Sequence, residues 1–542
     1  MSIRRLGRVG VSALVLAAAA CGSSSKKQEA PAVTSPTPPV TPVQRIRGNW
    51  TYYDVGQGLS QDIQDVSVDE GGNVYVAGGD AVYVKKKGDD QFLRFDAKNA
   101  GLTENCNDLA FIDPNCRTTT TTPCNPQYPP TPPYLCRVIS VAGAAPGKAI
   151  IGLRGFSQLE GDIGYMYGQF AWALTTGGAD VVAFDADKGA LTRTRHVRIA
   201  SPPHIICKAD GTERPANGTC SDPNDPWWNH GRALVRRIER IAVNHDSSSP
   251  MYGDVWLGGN HAVFSVLLAN ASARGYANPA LNYLPEFNDA IDVWEHVHPA
   301  VSPSGSGLFV DGEGYALSID PRNGTVWGSN EFRTAYVTGY GPNLANDLWW
   351  MGPLDASVVN DQPSWYIDVW PDPKTPTNVA DPTYGTRFYG PTRDDVRSVS
   401  HCPDGTVWVG STTHGLARID AVTSAVSYVV SYVDVPDAAH LGGVTTVACD
   451  PKDGSVWIGR GLRDWSSPDD FVITGGGLQR YTNGQFATVD TKGVPAFANN
   501  PVNSIQIDPW SSPRVLYFAF HPVVDASGKI TAEGGVASYD GD

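Results

Sequence analysis

The sequence predicts an all-β fold: a seven-bladed β-propeller of four-stranded antiparallel blades closed by the N-terminal strand, with eight blades as the alternative. Three observations predict it. A hairpin-like segment recurs along the chain, further β-runs follow most copies, and the two chain ends supply complementary parts of one unit.

In chain order, the first element is a leader. Arg4, Arg5 and Arg8 precede the uncharged stretch from Val9 to Ala20, and small residues lead to Cys21. A basic start, a short apolar core and a small-residue cut site are what a secretory signal peptide requires. The apolar run is about a dozen residues against the ~20 of a spanning helix, so it targets and does not span. Ala18-Ala19-Ala20-Cys21 resembles the lipobox of bacterial lipoproteins. That resemblance implies removal of residues 1–20, lipid on Cys21, and a place at the cell envelope on an outer-membrane, periplasmic or surface face. Residues 21–45, rich in Ser, Pro and Thr, read as a disordered tether, and residues 46–542 as the folded part.

The repeat is clearest in Val396-Arg-Ser-Val-Ser-His-Cys-Pro-Asp-Gly-Thr-Val-Trp-Val-Gly410, which returns as the segment from Val444 to Gly459. Each copy is a β-run, a Pro/Asp/Gly turn and a second β-run, the grammar of a hairpin. Weaker copies run from Ile63 to Gly78, Val138 to Gly152, Ile238 to Gly258, Tyr315 to Gly328 and Asn503 to Phe520. Third runs follow at 414–420, 476–481 and 534–539, and fourth runs at 91–96 and 485–490. Ile291–Trp294 and Ile367–Trp370 read as two more late strands, with Thr386–Tyr389 competing for the second place. A four-stranded sheet with two apolar faces buries them only against like neighbours, hence a propeller.

The last unit stops after its third strand, and Gly48–Val55 matches the fourth-strand segment from Gly484 to Asp490. The N-terminal strand is therefore expected to complete the last blade and remove the free sheet edge. The pattern of residues 396–418 and 444–480 resembles the two-component regulator propeller repeat. The resemblance implies an extracytoplasmic recognition role and no catalytic residue.

With strands ordered a to d from the axis outward, the b-to-c loops and the d-to-a connections share one end. The long insertions 103–136, 199–236, 298–314, 371–395 and 430–443 are expected as d-to-a connections, and 154–179, 460–475 and 521–533 as b-to-c loops. Only 268–289 and 339–364 belong to the other end. Loops this long are usually functional. Their tips carry Trp227, Trp228, His230, Arg154, Arg460, Trp465 and His521, aromatic and polar groups suited to a protein, a peptide or a glycan. Trp256, Trp327, Trp408 and Trp457 recur at one slot of strand b and are assigned instead to packing between blades.

The formal charge is −15, and removal of Arg4, Arg5 and Arg8 with the leader takes it to −18. This acidic balance argues against nucleic acid as a partner; the membrane would be reached through the lipid on Cys21. Eight of the nine cysteines remain once Cys21 is set aside, an even number in an exported chain, which suggests disulfides. Cys207 and Cys220 bracket one loop and are expected to pair; Cys106, Cys116, Cys124 and Cys136 have three connectivities among which sequence does not choose. No metal-ligand spacing, serine elbow, phosphate loop or paired-carboxylate motif is present, and no cofactor or metal is expected. The sequence points to a ligand- or protein-binding or assembly module of the cell envelope. An extracytoplasmic propeller enzyme, a lyase, a lactonase or another hydrolase, is the alternative, its residues drawn from several blades.

Overall fold

The computed structural model describes residues 45–46, 49–104, 136–154, 178–197, 238–259, 264–267, 269, 293–297, 316–320, 324–329, 334–337, 364–367, 396–424, 427–436, 442–464, 472–491, 493–525 and 529–540. The chain divides into residues 1–39 and 40–542, and all described residues belong to the second unit. Among them no helix is long and apolar enough to cross a membrane.

The fold is all-β, built from antiparallel sheets whose strands follow chain order from inside outward. Sheet 1 holds strands a to d at Ile63–Val68, Val74–Gly78, Ala81–Lys85 and Leu93–Phe95. Sheet 2 holds Arg137–Gly143, Lys148–Arg154, Gly178–Asp185 and Ala190–Val197. Sheet 3 holds Ile238–Val243, Val255–Gly259, Phe264–Leu267 and Val293–Val297. Sheet 4 holds Ala316–Ile319, Val326–Ser329, Thr334–Val337 and Ser364–Ile367. Sheet 5 holds Val396–His401, Val407–Ser411, Gly415–Ser424 and Ser427–Val433. Sheet 6 holds Gly443–Cys449, Val456–Asp464, Leu478–Thr482 and Gln485–Thr488. Sheet 7 holds Val502–Asp508, Val515–Phe520 and Gly535–Tyr539, then Trp50–Tyr53 from the start of the chain and Arg45–Ile46 outside it. Strand a of each sheet packs on strand a of the next, and strand a of sheet 7 packs on that of sheet 1, a propeller-like arrangement.

The repeat residues explain this stacking. Tyr75, Trp256, Trp327, Trp408, Trp457 and Tyr517 are all buried. Trp408 meets Tyr481 at 5.2 Å between ring centroids, and Trp457 meets Phe518 of the next sheet at 6.2 Å, so the recurring aromatic fills the space between sheets. The repeat glycine within strand b has the complementary task. A Cβ at Gly410 would lie 2.6 Å from Val444 Cγ1, and one at Gly459 would lie 2.5 Å from Thr446 Cγ2 and 2.7 Å from Val502 Cβ. The slot stays empty so that the next sheet can approach.

The structure differs from the sequence expectations at several places. Ser427–Val433 is strand d of sheet 5, its Val433 opposite Leu416, so the connection expected at 430–443 begins after the strand. The late strand expected at Ile367–Trp370 is Ser364–Ile367, aligned by Trp365 opposite Tyr336; Thr386–Tyr389 lies outside the described residues. Strand b of sheet 6 continues to Asp464 and pairs there with Val472–Thr474, and the 521–533 segment contains a hairpin of Val523–Val524 with Ile530–Ala532. Both segments are thus in part paired strand, and the β-branched residues of Val472–Thr474, Val523–Val524 and Ile530–Ala532 favour that pairing.

Candidate functional site

Among the described residues, strands a of sheets 1 to 7 line a cavity of about 340 Å³. Their inner edges would leave backbone groups without strand partners, and such groups are costly unless paired. Small polar side chains supply the pairing from one sheet to the next. Asp65 accepts from Val141 N at 3.1 Å and Ser67 Oγ from Gly143 N at 2.9 Å, while Ser140 Oγ donates to Ile238 O at 2.5 Å. Ser318 Oγ accepts from His401 N at 3.3 Å, Ser398 Oγ from Val447 N and Ser400 Oγ from Cys449 N, each at 2.9 Å. Thr445 Oγ1 donates to Val502 O at 2.6 Å, and Asn503 Nδ2 to Gln64 O. The channel wall is therefore held by its own polar residues.

Antiparallel pairing puts the start of strand a beside the end of strand b, as in the register of Arg137 with Arg154. At this end, where the b-to-c and d-to-a connections leave, charged groups of several sheets meet. Asp62 accepts from Arg137 Nη2 and from Gln64 Nε2. Arg240 Nη1 lies 3.3 Å from Asp65 Oδ1, and Arg240 Nη2 donates to Asn503 O at 2.7 Å. Arg240 and Arg397 both line the cavity. Burial raises the pKa of the Asp65 carboxyl, opposed by Arg240 and by hydrogen bonds from Ser504, Val141 and Val66. His521, half-buried just past the end of strand b of sheet 7, is held by its backbone: its N donates to Pro501 O at 3.2 Å and its O accepts from Asn500 Nδ2 at 2.8 Å. Burial, together with Arg240, Arg137 and Arg397 and against the pull of Asp62, lowers its imidazole pKa to about 4.

The opposite end, formed by the a-to-b turns, is built differently. Asp69 accepts from Gly71 N and Asn73 N within its own turn and from Gly147 N of sheet 2 at 2.8 Å. His245 Nδ1 lies 3.0 Å from Glu70 Oε1, Tyr252 Oη donates to Glu70 Oε2 at 2.6 Å, and the His245 ring meets Trp510 edge-on at 5.0 Å. Burial lowers the His245 pKa despite Glu70, and the hydrogen bond to Glu70, with some burial, pushes the Tyr252 hydroxyl up to about 12. Asp320 closes a turn through backbone bonds to Thr325 O and from Gly324 N.

Of the residues expected to bind, His521 lies at the arginine-bearing mouth, and Arg154, partly buried, stands opposite Arg137. Arg460 does not lie at a loop tip. It is 1% exposed, its Nε donates to Gly442 O at 3.1 Å and its Nη1 to Gln479 Oε1 at 2.5 Å. The reason is local: strand b runs on through Arg460, so its side chain turns in to hold the backbone of the connection entering sheet 6. Trp227, Trp228, His230, Trp465, Cys21, Cys207, Cys220, Cys106, Cys116 and Cys124 lie outside the described residues. Cys136 is disulfide-bonded, and Cys402 pairs with Cys449, a bridge the sequence did not suggest. Sequence reading also missed Asp62, Asp65, Arg137, Arg240 and Arg397. A signal existed for two of them: the strand-a slot that holds Ser140, Ser398, Thr446 and Ser504 elsewhere holds Asp65 and Arg240 in sheets 1 and 3.

No family model matches the chain, and no curated protein matches it. Solved structures that do match include YCF48 bound to D1 peptide, with a TM-score of 0.40 at 10% identity, covering 92% of this chain and 98% of that one. The PQQ-bound form of aldose sugar dehydrogenase from Streptomyces coelicolor matches with a TM-score of 0.33 at 12% identity, covering 81% and 98%. A chain of the mitotic checkpoint complex matches with a TM-score of 0.40 at 11% identity, covering 95% and 98%. These neighbours are propeller-like proteins, and the likeness concerns architecture alone.

Proposed function

We propose that the chain is an extracytoplasmic binding or assembly module, a seven-bladed propeller shut by its N-terminal strand and tethered to a membrane through lipid on Cys21. Its ligand, an envelope protein, a peptide or a glycan, is taken at the end of the channel from which the long connections leave. The observation that carries this reading is the meeting of Arg137, Arg240, Arg397 and His521 at that end, while the polar residues of the wall are spent on holding sheet to sheet. Trp227, Trp228, His230 and Trp465 belong to the same reading as contacts borne by the loops. The rival reading, an enzyme, would draw its proton-transfer groups from several sheets. His521 beside Asp62 is one such pair at this end, and its imidazole, lowered to about 4, is poorly matched to proton transfer near neutrality.

Photo-crosslinking in intact cells tests the reading. A crosslinking residue at position 154 or 521 should give adducts in the membrane fraction, and one at position 148 or 452, on the a-to-b turns, should give few. Cys21→Ser should release the chain to the soluble fraction. Adducts of equal yield from both ends would overturn the binding-end reading, and a Cys21→Ser chain that still sediments with membranes would overturn the anchor.

A further inference from the structure

We infer that the a-to-b end of the channel carries a second binding site, in which His245 Nε2 as acceptor and Trp510 Nε1 as donor take a hydroxyl of a neutral polyol, a sugar or a cyclitol. The assignment does not rest on the reading of the arginine-bearing end. Its residues come from three sheets. Glu70 follows Ile63–Val68 of sheet 1, His245 and Tyr252 lie between Ile238–Val243 and Val255–Gly259 of sheet 3, and Trp510 lies between Val502–Asp508 and Val515–Phe520 of sheet 7. His245 lines the cavity of about 340 Å³. That size is at the lower end of the roughly 300–1,000 Å³ of small-ligand pockets and suits a single sugar ring.

The hydrogen bonds fix which nitrogen is open. Glu70 is held by its own N–H, which donates to Ala144 O at 2.9 Å, and by Tyr252 Oη, which donates to Glu70 Oε2 at 2.6 Å. A carboxylate only accepts, so the 3.0 Å contact of Glu70 Oε1 with His245 places the imidazole proton on Nδ1 and leaves Nε2 with a lone pair. Burial disfavours a second proton on the ring. Trp510 is fixed as well: its backbone N–H donates to Asp508 Oδ1 at 2.9 Å, and its side chain packs on the core shared by sheets 1 and 7. The two rings meet at 5.0 Å between centroids. Among the described residues neither His245 Nε2 nor Trp510 Nε1 has a hydrogen-bond partner, and neither is a buried atom, so both reach the channel or solvent.

An acceptor and a donor on neighbouring rings match a hydroxyl, whose proton donates and whose oxygen accepts. Charge excludes the alternatives. The charged groups that His245 senses are Glu70 and Asp69, both carboxylates, so an anion is repelled. A cation finds each oxygen of Glu70 already engaged and meets the Trp510 N–H, which is a donor. Trp510 and Tyr252 are both half-buried, and their exposed ring surface offers the apolar area that the C–H face of a sugar covers.

The test is NMR titration of the whole chain, with histidine and tryptophan nitrogens labelled. The neutral probes are the methyl glycosides of glucose, galactose and mannose, and inositol; acetate and methylammonium are the charged ones. His245 should show the tautomer protonated at Nδ1. At least one neutral probe should saturate at or below about 10 mM and move the His245 Nε2 and Trp510 Nε1 resonances together. His245→Asn keeps a donor for Glu70 and removes Nε2, and Trp510→Phe keeps a ring and removes the N–H; each should weaken binding about tenfold. Lys98→Gln, on the short helix Ala97–Ala100, should leave binding unchanged.

The tautomer and the paired shifts are read on the parent chain, so they decide the matter even where a variant loses stability. A proton on His245 Nε2, saturation by acetate or methylammonium alone, no saturation by any neutral probe, or both variants binding as the parent does would each overturn the assignment. Crosslinking from positions 154 and 521 concerns the other end of the channel, so the failure of one reading leaves the other standing.

Discussion

At the scale of single residues, the inner strands separate two uses of polarity. Ser67, Ser398, Ser400 and Thr445 satisfy the backbone of the following sheet, and their short side chains fit because strands a approach closely there. His521 is polarity of the other kind, a titratable group placed among cations. Its unfolded value is near the ordinary 6.5 and its folded value about 4, so between those values the unfolded chain binds more protons. Stability is complete above about pH 6.5 and is lost as pH falls toward about 4, by up to roughly 3 kcal/mol from this residue. Burial lowers the pKa of His245 and His414 as well, so they act in the same direction. Thermal unfolding followed from neutral pH to about pH 4.5 should show a falling Tm, and His521→Asn should flatten that fall. A Tm that stays level over this range, or a variant curve parallel to the parent's, would count against the placement of His521.

At the scale of the element, the a-to-b turn shows how one slot joins neighbouring sheets by different chemistry. Asp69 reaches Gly147 N of sheet 2, and Asp450 accepts from Arg514 Nε of sheet 7 at 2.6 Å. Cys402 occupies that slot in sheet 5 and is bonded to Cys449 of sheet 6 across a sequence separation of 47. A covalent link here replaces a carboxylate link. Closing a loop of that length is worth about 4 kcal/mol in the chain-entropy account, with ~2–4 kcal/mol typical of measured bridges. The double change Cys402→Ser with Cys449→Ser should destabilise the chain by that amount in denaturant unfolding, and a reductant should lower the parent's Tm by more than the variant's, which keeps the bridge of Cys136. Equal Tm for the parent with and without reductant would contradict this. The hairpins of sheets 5 and 6 were legible because their signals, alternation and Asp-Gly turns, are local. The bridge was not, because each cysteine lies in a different repeat and only stacking brings them together.

At the scale of the whole molecule, the first described strands join the last. Trp50 pairs in register with Tyr539 and is 3% exposed. Its ring packs on Phe497 at 5.1 Å, Phe518 at 5.4 Å and Tyr539 at 4.8 Å, and its Nε1 donates to Asp490 O at 3.1 Å. Trp50→Ala removes a large buried ring and loosens the strand that covers the edge of Gly535–Tyr539. A loss of about 3–5 kcal/mol is expected, together with aggregation through the uncovered edge. A Trp50→Ala chain with the parent's stability and solubility would show that the N-terminal strand does not secure the end of the fold.

The sequence by itself determined the strands, their antiparallel pairing within each unit, the recurring aromatic and glycine, and the likeness of the N-terminal strand to a missing fourth one. Each is written in neighbouring residues, since side-chain alternation and turn chemistry act over a few positions. Tertiary structure alone decided which residues meet across sheets: Cys402 with Cys449, Arg240 with Asp65, and Arg137 and Arg397 around His521. It also decided that Arg460 turns inward, because the strand runs past the repeat glycine and carries that side chain to the carbonyls of Gly442 and Gly443. Contacts of this kind depend on how successive sheets stack about the channel. No local period in the chain encodes the partner that a residue finds two hundred positions away.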